Sequence, residues 1–579
     1  MEEKRLLGDF VEKSKSRQRR TKHWLIFPLV VLLGVLTIKN RLKTCPSPPN
    51  SEYLQYEGES ISWERCGNLE GIPVECSRID VPMDQFNQNN PEDKTFSIPI
   101  IRMRGQNATQ NILLNPGGPG GSGISLIYHG GPQLKTLIGE GFHLVSFDPR
   151  GVNSSTPQIS CYPDVATRQR LSPVRSRNIE ADSPEVFAWT QNYVKTCIDT
   201  VGEHLGYVNT PQVAADMNSI LDALGQKDMF YYGFSYGTII GQTYAAMFPE
   251  RSRRIIIDGV ANNFEWYGEG FEGASSLVNT DAVLDGFFDE CIKAGQEYCS
   301  LARLVDSKEE LNDLVMSKLE ELQQQPLSIY IDNTSYGLLT YDDIWYNGFF
   351  IALYSPKKWA GLAKDIYNLI LGNATDSFLA YSSGAQEWSV DDTNSVVELN
   401  DGLLTGPGYW PQDRQSILDH MLLLFNASMF DAWQDKIFYQ RQQWTLPKTH
   451  SFTPPKTVKT AHPILIMSTT YDPVCPIIAA HAANEAFEGS QIVEAKGYGH
   501  CTVVVPSVCV SKHLRAYLYE GKLPDGYTKC EGDSPYFTNP EKGSSYVAQK
   551  VFDNSDDREI HLAQMELALN WEFRAPHLT

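Results

Sequence analysis

The stretch "YYGFSYGTIIG" (residues 231–241) brackets one hydroxyl, that of Ser235, with glycines two positions away on either side. Before it, "MFYYGFS" is an apolar and aromatic run that reads as a buried strand, and after it "YGTIIGQTYAAMFP" reads as a helix. A strand that enters a helix through so tight a turn leaves no room for bulky flanking side chains and holds the serine hydroxyl out above a sheet. The helix it opens aims its first amides at negative charge developing beside the hydroxyl. Ser235 is therefore the candidate nucleophile, in preference to an ordinary serine in a glycine-bracketed turn.

Outward from this point the pattern is that of βαβ units and a mainly parallel sheet. "NILLN" (111–115) and "FHLVSFD" (142–148) read as buried strands, and "RRIIIDG" as another after the Ser235 helix. In "TPQVAADMNSILDALG" the signals predict a helix with Thr210 as N-cap and Pro211 at its first position, stopped by Gly225. The rhythm is lost after about residue 265 and returns at "HPILIMSTTYDP" (462–473) and "QIVEAKGYGH" (491–500). The organisation predicted is an α/β core over 60–269, a mainly helical insertion over 270–455, the completion of the core over 456–530 and a loosely packed tail over 531–579 carrying a short helix near 560.

A serine hydroxyl needs a base to take its proton, and the base needs an acid to fix its tautomer; on such a sheet the chain order is Ser, acid, His. His500, in the glycine-rich turn "GYGHC" after a late strand, suits the base; His513 and His481 lie in helical patterns. Asp472, opening the turn "YDPVCP", is preferred as the acid over Asp258, which ends "RIIIDG" and reads as a residue capping backbone amides. "NPGGPGGSG" (115–123) carries five glycines, so its uncovered N–H groups can face an oxyanion; without a Lys before the Ser it is not a phosphate loop.

"NPGGPGGSG", "FDPRGVNSSTP", "YYGFSYGT", "TTYDPVCP" and "GYGHC", in that order, resemble the proline-iminopeptidase-like serine peptidases of the α/β-hydrolase fold, and more closely their tripeptidyl-aminopeptidase branch. The likeness spans roughly residues 60 to 530. It implies the α/β-hydrolase sheet with an inserted helical cap, and hydrolysis of peptide bonds near a free N-terminus. It also implies Ser235 as nucleophile, Asp472 as orienting acid, His500 as base, and the backbone amides of Gly118 and Tyr236 as oxyanion donors, with no cofactor and no metal. Where proline iminopeptidases usually have His before the glycine loop, this chain has Pro116, which favours the tripeptidyl branch. A cap acid to hold the substrate ammonium is implied as well, and Glu265, Glu269, Glu272, Asp285, Asp289 and Glu290 are all candidates.

Charge excludes some partners. The first 43 residues hold 11 of the 49 basic and 4 of the 70 acidic residues, so the remainder carries a net charge of −28, which repels nucleic acid and suits cationic ligands. "WLIFPLVVLLGVLTI" (24–38), with a basic segment (1–23) before it, is the expected single transmembrane signal anchor, which leaves the N-terminus in the cytosol and the bulk of the chain in the lumen or outside; cleavage and secretion is the alternative. All 11 cysteines follow the span. Cys66 with Cys76, Cys161 with Cys197, and Cys291 with Cys299 are spaced to close short loops, and Cys45 is the expected odd thiol. Asn107, Asn153, Asn333, Asn373 and Asn426 stand in N-x-S/T sequons. No CxxC pair or HExxH points to a metal. An esterase or lipase using the same triad, or a membrane-anchored binding protein on a dead hydrolase scaffold, are the rival readings.

Overall fold

The computed structural model describes residues 54–87, 94–171, 178–268, 275–382, 391–402, 411, 413–424, 428–430, 435–537, 552 and 554–571. The expected anchor at 24–38, Cys45 and Asn426 lie outside these; among the described residues no helix is long and apolar enough to cross a membrane. Tyr53–Thr579 forms one compact unit.

The unit is built on ten strands: β1 (Glu64–Leu69), β2 (Ile72–Pro82), β3 (Thr95–Met103), β4 (Gln110–Asn115), β5 (Phe142–Phe147), β6 (Met229–Phe234), β7 (Ser252–Asp258), then, beyond a hairpin of β8 (Leu327–Asp332) and β9 (Ser335–Leu339), β10 (Leu465–Tyr471), β11 (Gln491–Tyr498) and β12 (Thr528–Glu531). Their order in the sheet is β1-β2-β3-β5-β4-β6-β7-β10-β11-β12, antiparallel from β1 to β5 and parallel from there on. β4, β5 and the ends of β6 and β7 are almost wholly buried, which is why they read as continuous apolar runs rather than as alternating ones. The antiparallel hairpin of β1 and β2 and the short edge strand β12 have no such signal; their exposed faces break the apolar run.

Helices cover both faces, and each face has its own core. On one face, the helices Gly123–Ile138, Val508–Glu520 and Ser555–Asn570 enclose Ile127, Leu134, Leu514, Ile560 and Leu567. On the other, Ile239 and Met217 share one cluster with Phe287, Trp345, Phe349 and Phe430 of the insertion. The insertion is mainly helical, with β8 and β9 as its hairpin, but its core is continuous with that of the sheet, which is why one compact unit results.

Two local expectations are corrected, and one is extended. The helix Thr210–Ala223 is capped by Asn209, whose side chain accepts from Gln212 N, so Thr210 is already inside it. The helix expected near 560 is present as the 16-residue Ser555–Asn570, capped by Asn554, but it is not loosely packed: Ile560, His561, Leu567 and Ala568 are buried. A fourth disulfide, Cys509–Cys530, joins the helix Val508–Glu520 to β12, alongside Cys66–Cys76, Cys161–Cys197 and Cys291–Cys299; Cys475 and Cys501 are buried thiols.

Candidate active site

Three loops meet at the C-terminal ends of the parallel strands. Ser235 follows β6 at φ 56° and ψ −127° and opens the helix Tyr236–Met247. Positive φ in a non-glycine residue costs about 1–3 kcal/mol and persists only where the surroundings over-determine it. Here they do: Ser235 N–H donates to the Asp258 carbonyl at 3.0 Å, and its own carbonyl accepts from Thr238 N–H at 2.7 Å and Thr238 Oγ1 at 2.6 Å. The flanking glycines are needed for close approach, since a Cβ at Gly233 would lie 2.4 Å from the Gly237 carbonyl, and one at Gly237 would lie 2.7 Å from that of Asn115.

The glycine loop after β4 lies directly on this elbow. A Cβ at Gly117 would stand 2.4 Å from the Phe234 carbonyl and 2.9 Å from both Ser235 Cβ and Tyr236 N. Asn115 Oδ1 accepts from Gly117 N–H at 2.9 Å, and Gly121 N–H returns to the Gly117 carbonyl at 3.0 Å. Gly118 has φ 112° in this turn. The start of the next helix is held by Asp148 of "FDPRG": its carboxylate accepts from Ser122 Oγ at 2.6 Å, Ile124 N at 3.2 Å and Ser154 N at 3.1 Å. Asn153 Nδ2 donates to the same carboxylate at 2.8 Å and to Ser122 Oγ at 3.2 Å. Asn153 is therefore half-buried and its side-chain nitrogen is engaged, whereas Asn107, Asn333 and Asn373 are exposed.

Asp472 stands just beyond β10 and His500 just beyond β11, both buried. His500 Nδ1 is 3.0 Å from each oxygen of Asp472. Three backbone amides orient that carboxylate: Val474 N at 3.0 Å and Cys475 N at 2.8 Å on Oδ1, and Cys501 N at 2.9 Å on Oδ2. A carboxylate only accepts, so Nδ1 donates to it and Nε2 is left able to take a proton. The insertion closes over the base: His500 N–H donates to the Tyr354 carbonyl at 2.9 Å, and the Tyr354 ring stands edge-on to the imidazole at 5.1 Å.

Asp258, the rival acid, sits at the end of β7. It accepts from Thr502 N at 2.7 Å, Thr502 Oγ1 at 2.8 Å and Tyr232 OH at 2.9 Å. Burial pushes its carboxyl up to about 6, against the pull of those hydrogen bonds.

The cap acids separate sharply. Asp285 pairs with Lys308 at 2.8 Å, and Asp289 and Glu290 pair with Lys293 at 2.6 and 3.0 Å on the surface. Glu265 accepts from Asn262 Nδ2 at 2.9 Å and from Ser275 Oγ at 2.7 Å, while Glu269 and Glu272 lie outside the described residues. Two acids the sequence did not single out come from the helix Asp391–Asp401. Asp401 is buried against the elbow: it accepts from Thr210 N at 2.8 Å, from Thr210 Oγ1 and from Trp266 Nε1 at 2.8 Å, and Thr210 Oγ1 in turn meets Tyr236 OH at 2.5 Å. Burial pushes Asp401 up to about 6 and Glu398 up to about 8, the latter also repelled by Asp401 and eased by Arg441. The three-residue spacing of two acids in the apolar context "VVELND" (396–401) was the available signal.

Residues 110–292 match the alpha/beta hydrolase fold family, and residues 428–530 match the TAP-like protein family. Serine protease Hip1 of Mycobacterium tuberculosis is 28% identical over 501 residues, covering 82% of this chain and 91% of that protein. Tripeptidyl aminopeptidase of Streptomyces lividans is 25% identical over 492 residues, covering 81% and 86%. Carboxylesterase B of Mycobacterium tuberculosis is 25% identical over 490 residues, covering 81% and 89%.

Proposed function

We infer, from a chain that is a serine hydrolase of the α/β-hydrolase fold and of its TAP-like branch, that it is a peptidase cleaving peptide bonds close to a free N-terminus. The observation that carries the reading is the cap helix Asp391–Asp401 set against the elbow: Asp401 accepts from Thr210 N at 2.8 Å, Thr210 Oγ1 meets Tyr236 OH at 2.5 Å, and Glu398 stands three residues earlier on the same helix. Burial holds the Glu398 carboxyl up at about 8 against the pull of Arg441, and a substrate ammonium placed against it would favour its charged form further.

In this mechanism Ser235 Oγ attacks the scissile carbonyl while His500 Nε2 takes its proton, with Asp472 holding Nδ1. The amides of Gly118 and Tyr236 receive the oxyanion, and the dipole of the helix Tyr236–Met247 supports it. His500 then protonates the leaving amine and activates the water that frees the acyl group. Glu398 holds the substrate ammonium in the cap, so the bond cut is measured from the N-terminus. The names of the Hip1 and tripeptidyl aminopeptidase relatives support a peptidase. The likeness to Carboxylesterase B favours a second reading, an esterase on the same three residues.

The test follows release of a fluorogenic amine from free and N-acetylated aminoacyl and tripeptidyl substrates, and of a phenol from simple esters. Activity lost on acetylation, on Ser235→Ala and largely on Glu398→Gln is the expected result. Turnover of acetylated peptides in place of free ones would discard the exopeptidase reading and leave a peptidase that ignores the N-terminus, and turnover of esters alone would leave the esterase. We also propose that the catalytic unit lies on the lumenal or outer side of a secretory-route membrane, tethered by 24–38. Four disulfides and exposed sequons at Asn107, Asn333 and Asn373 support that placement.

A further inference from the structure

We propose that Asp258 is a positioning residue that sets the separation of nucleophile and base, gripping the Ser235 elbow with its backbone and the His500 loop with its carboxylate. The inference rests on the roles given above to Ser235 and His500. Asp258 is the last residue of β7, which lies between β6, the strand leading to Ser235, and β10, the strand leading to Asp472. It is paired in register with Phe234 on one side and Met467 on the other. Its carbonyl receives Ser235 N–H at 3.0 Å, so the β6–β7 ladder continues one residue past the strand and into the elbow.

The other end of the same residue holds the base. Oδ1 accepts Thr502 N–H at 2.7 Å and Oδ2 accepts Thr502 Oγ1 at 2.8 Å, two residues beyond His500. Cys501 Sγ donates to the Asp258 carbonyl at 3.4 Å, and Cys501 has φ 69°, a strained turn that these contacts hold in place. Tyr232 OH occupies the remaining side of Oδ2 at 2.9 Å.

Asp258 is fully buried and spans a sequence separation of 244 residues to reach Thr502. A buried carboxylate is a costly way to fill space, and an apolar residue of similar volume would serve packing as well. What an apolar residue cannot do is fix two loops to one point. A general base acts only within about 2.6–3.2 Å of the atom whose proton it takes, so a joint that fixes both loops controls that distance directly.

The experiment uses the full chain and a fluorophosphonate probe, which phosphonylates the serine of any competent serine hydrolase and needs no peptide specificity. Maximal labelling rate and half-saturating probe concentration are measured for the parent, Asp258→Ala, Asp258→Asn and Thr502→Val, with melting temperature for each. Asp258→Ala is expected to lower the maximal rate about 10- to 100-fold at an unchanged half-saturating concentration, as a small misplacement of reacting groups does. Asp258→Asn is expected to stay within about threefold of the parent, because the amide keeps an acceptor for Thr502 N–H and donates to both hydroxyls.

An Asp258→Ala rate within about twofold of the parent, or an Asp258→Asn loss as deep as that of Asp258→Ala, would overturn the proposal. If Asp258→Ala does not fold, Thr502→Val decides. A slower rate at an unchanged melting temperature supports the joint, and an unchanged rate refutes it. A folded parent that does not label at Ser235 would remove the nucleophile and the joint together. A parent that labels but ignores free-amine peptides would discard only the exopeptidase reading.

Discussion

Ser235, Asp472 and His500 each end or follow a strand, and each is held by backbone hydrogen bonds rather than by its own side chain alone. Replacing Asp472 by Asn would present an NH2 group to amides that now meet an acceptor, and would turn His500 to the wrong tautomer. Asp472→Asn is therefore expected to lower kcat by about 10⁴-fold in a steady-state assay while KM changes little. Glu398 gives a pH signature. With its carboxyl raised to about 8, it is largely neutral at pH 6 and charges as pH rises, so ammonium recognition strengthens up to pH 8. Above that, the substrate amine itself deprotonates, at about 7.7–8.0. The profile of kcat/KM for free-amine substrates is expected to climb through that range, and to lose the climb in Glu398→Gln. Stability runs the other way: a carboxyl raised in the folded state favours the fold most below its unfolded value, and that advantage is lost as pH rises through about 8. The decline in melting temperature across that window is expected to flatten in the same variant.

Some elements announced themselves and others did not. β4 to β7, β10 and β11 are buried runs of Ile, Leu, Val and aromatic residues bounded by glycine and proline, and they stand where the sequence put them to within about three residues. The helix at 210 was placed from Pro211, yet its cap is Asn209, because Asn and Thr carry equal capping chemistry and only the backbone chooses between them. β12 has four residues and one buried position, too little for periodicity to register. Its tie to the helix Val508–Glu520 is the Cys509–Cys530 disulfide, which closes a loop of sequence separation 21. Cys509→Ser with Cys530→Ser is expected to cost about 3 kcal/mol in urea unfolding, with kcat unaffected, since neither cysteine faces the strand ends that carry the site.

The unit as a whole has two cores, and the second is completed by the C-terminal helix Ser555–Asn570. Leu567 packs there with Ile127 and Leu134, and Trp571 meets Phe234, the residue before Ser235, edge-on at 5.0 Å. Gln564 bonds to both the amide and the carbonyl of Ser507, a few residues past His500. Leu567→Ala is expected to destabilise the chain by about 2–5 kcal/mol, read from denaturant unfolding, because the cavity is walled by secondary structure that cannot collapse into it.

The sequence by itself determined the parallel centre of the sheet, β4 to β7 with β10 and β11, the elbow at Ser235 and the order of Ser235, Asp472 and His500 along the chain. These depend on local patterns: apolar runs, glycines that a tight turn requires, and the side chains that start or stop a helix. The tertiary structure alone decided that Asp401 of the cap reaches Tyr236 through Thr210, that Asp258 joins the Ser235 elbow to the His500 loop, and that the C-terminal helix closes the second core. Each of these rests on contacts between residues far apart in the chain, such as Asp401 with Thr210 across 191 positions and Asp258 with Thr502 across 244. Local pattern carries no record of such pairings, because a buried acid and a solvated one are the same letter until the chain has folded around one of them.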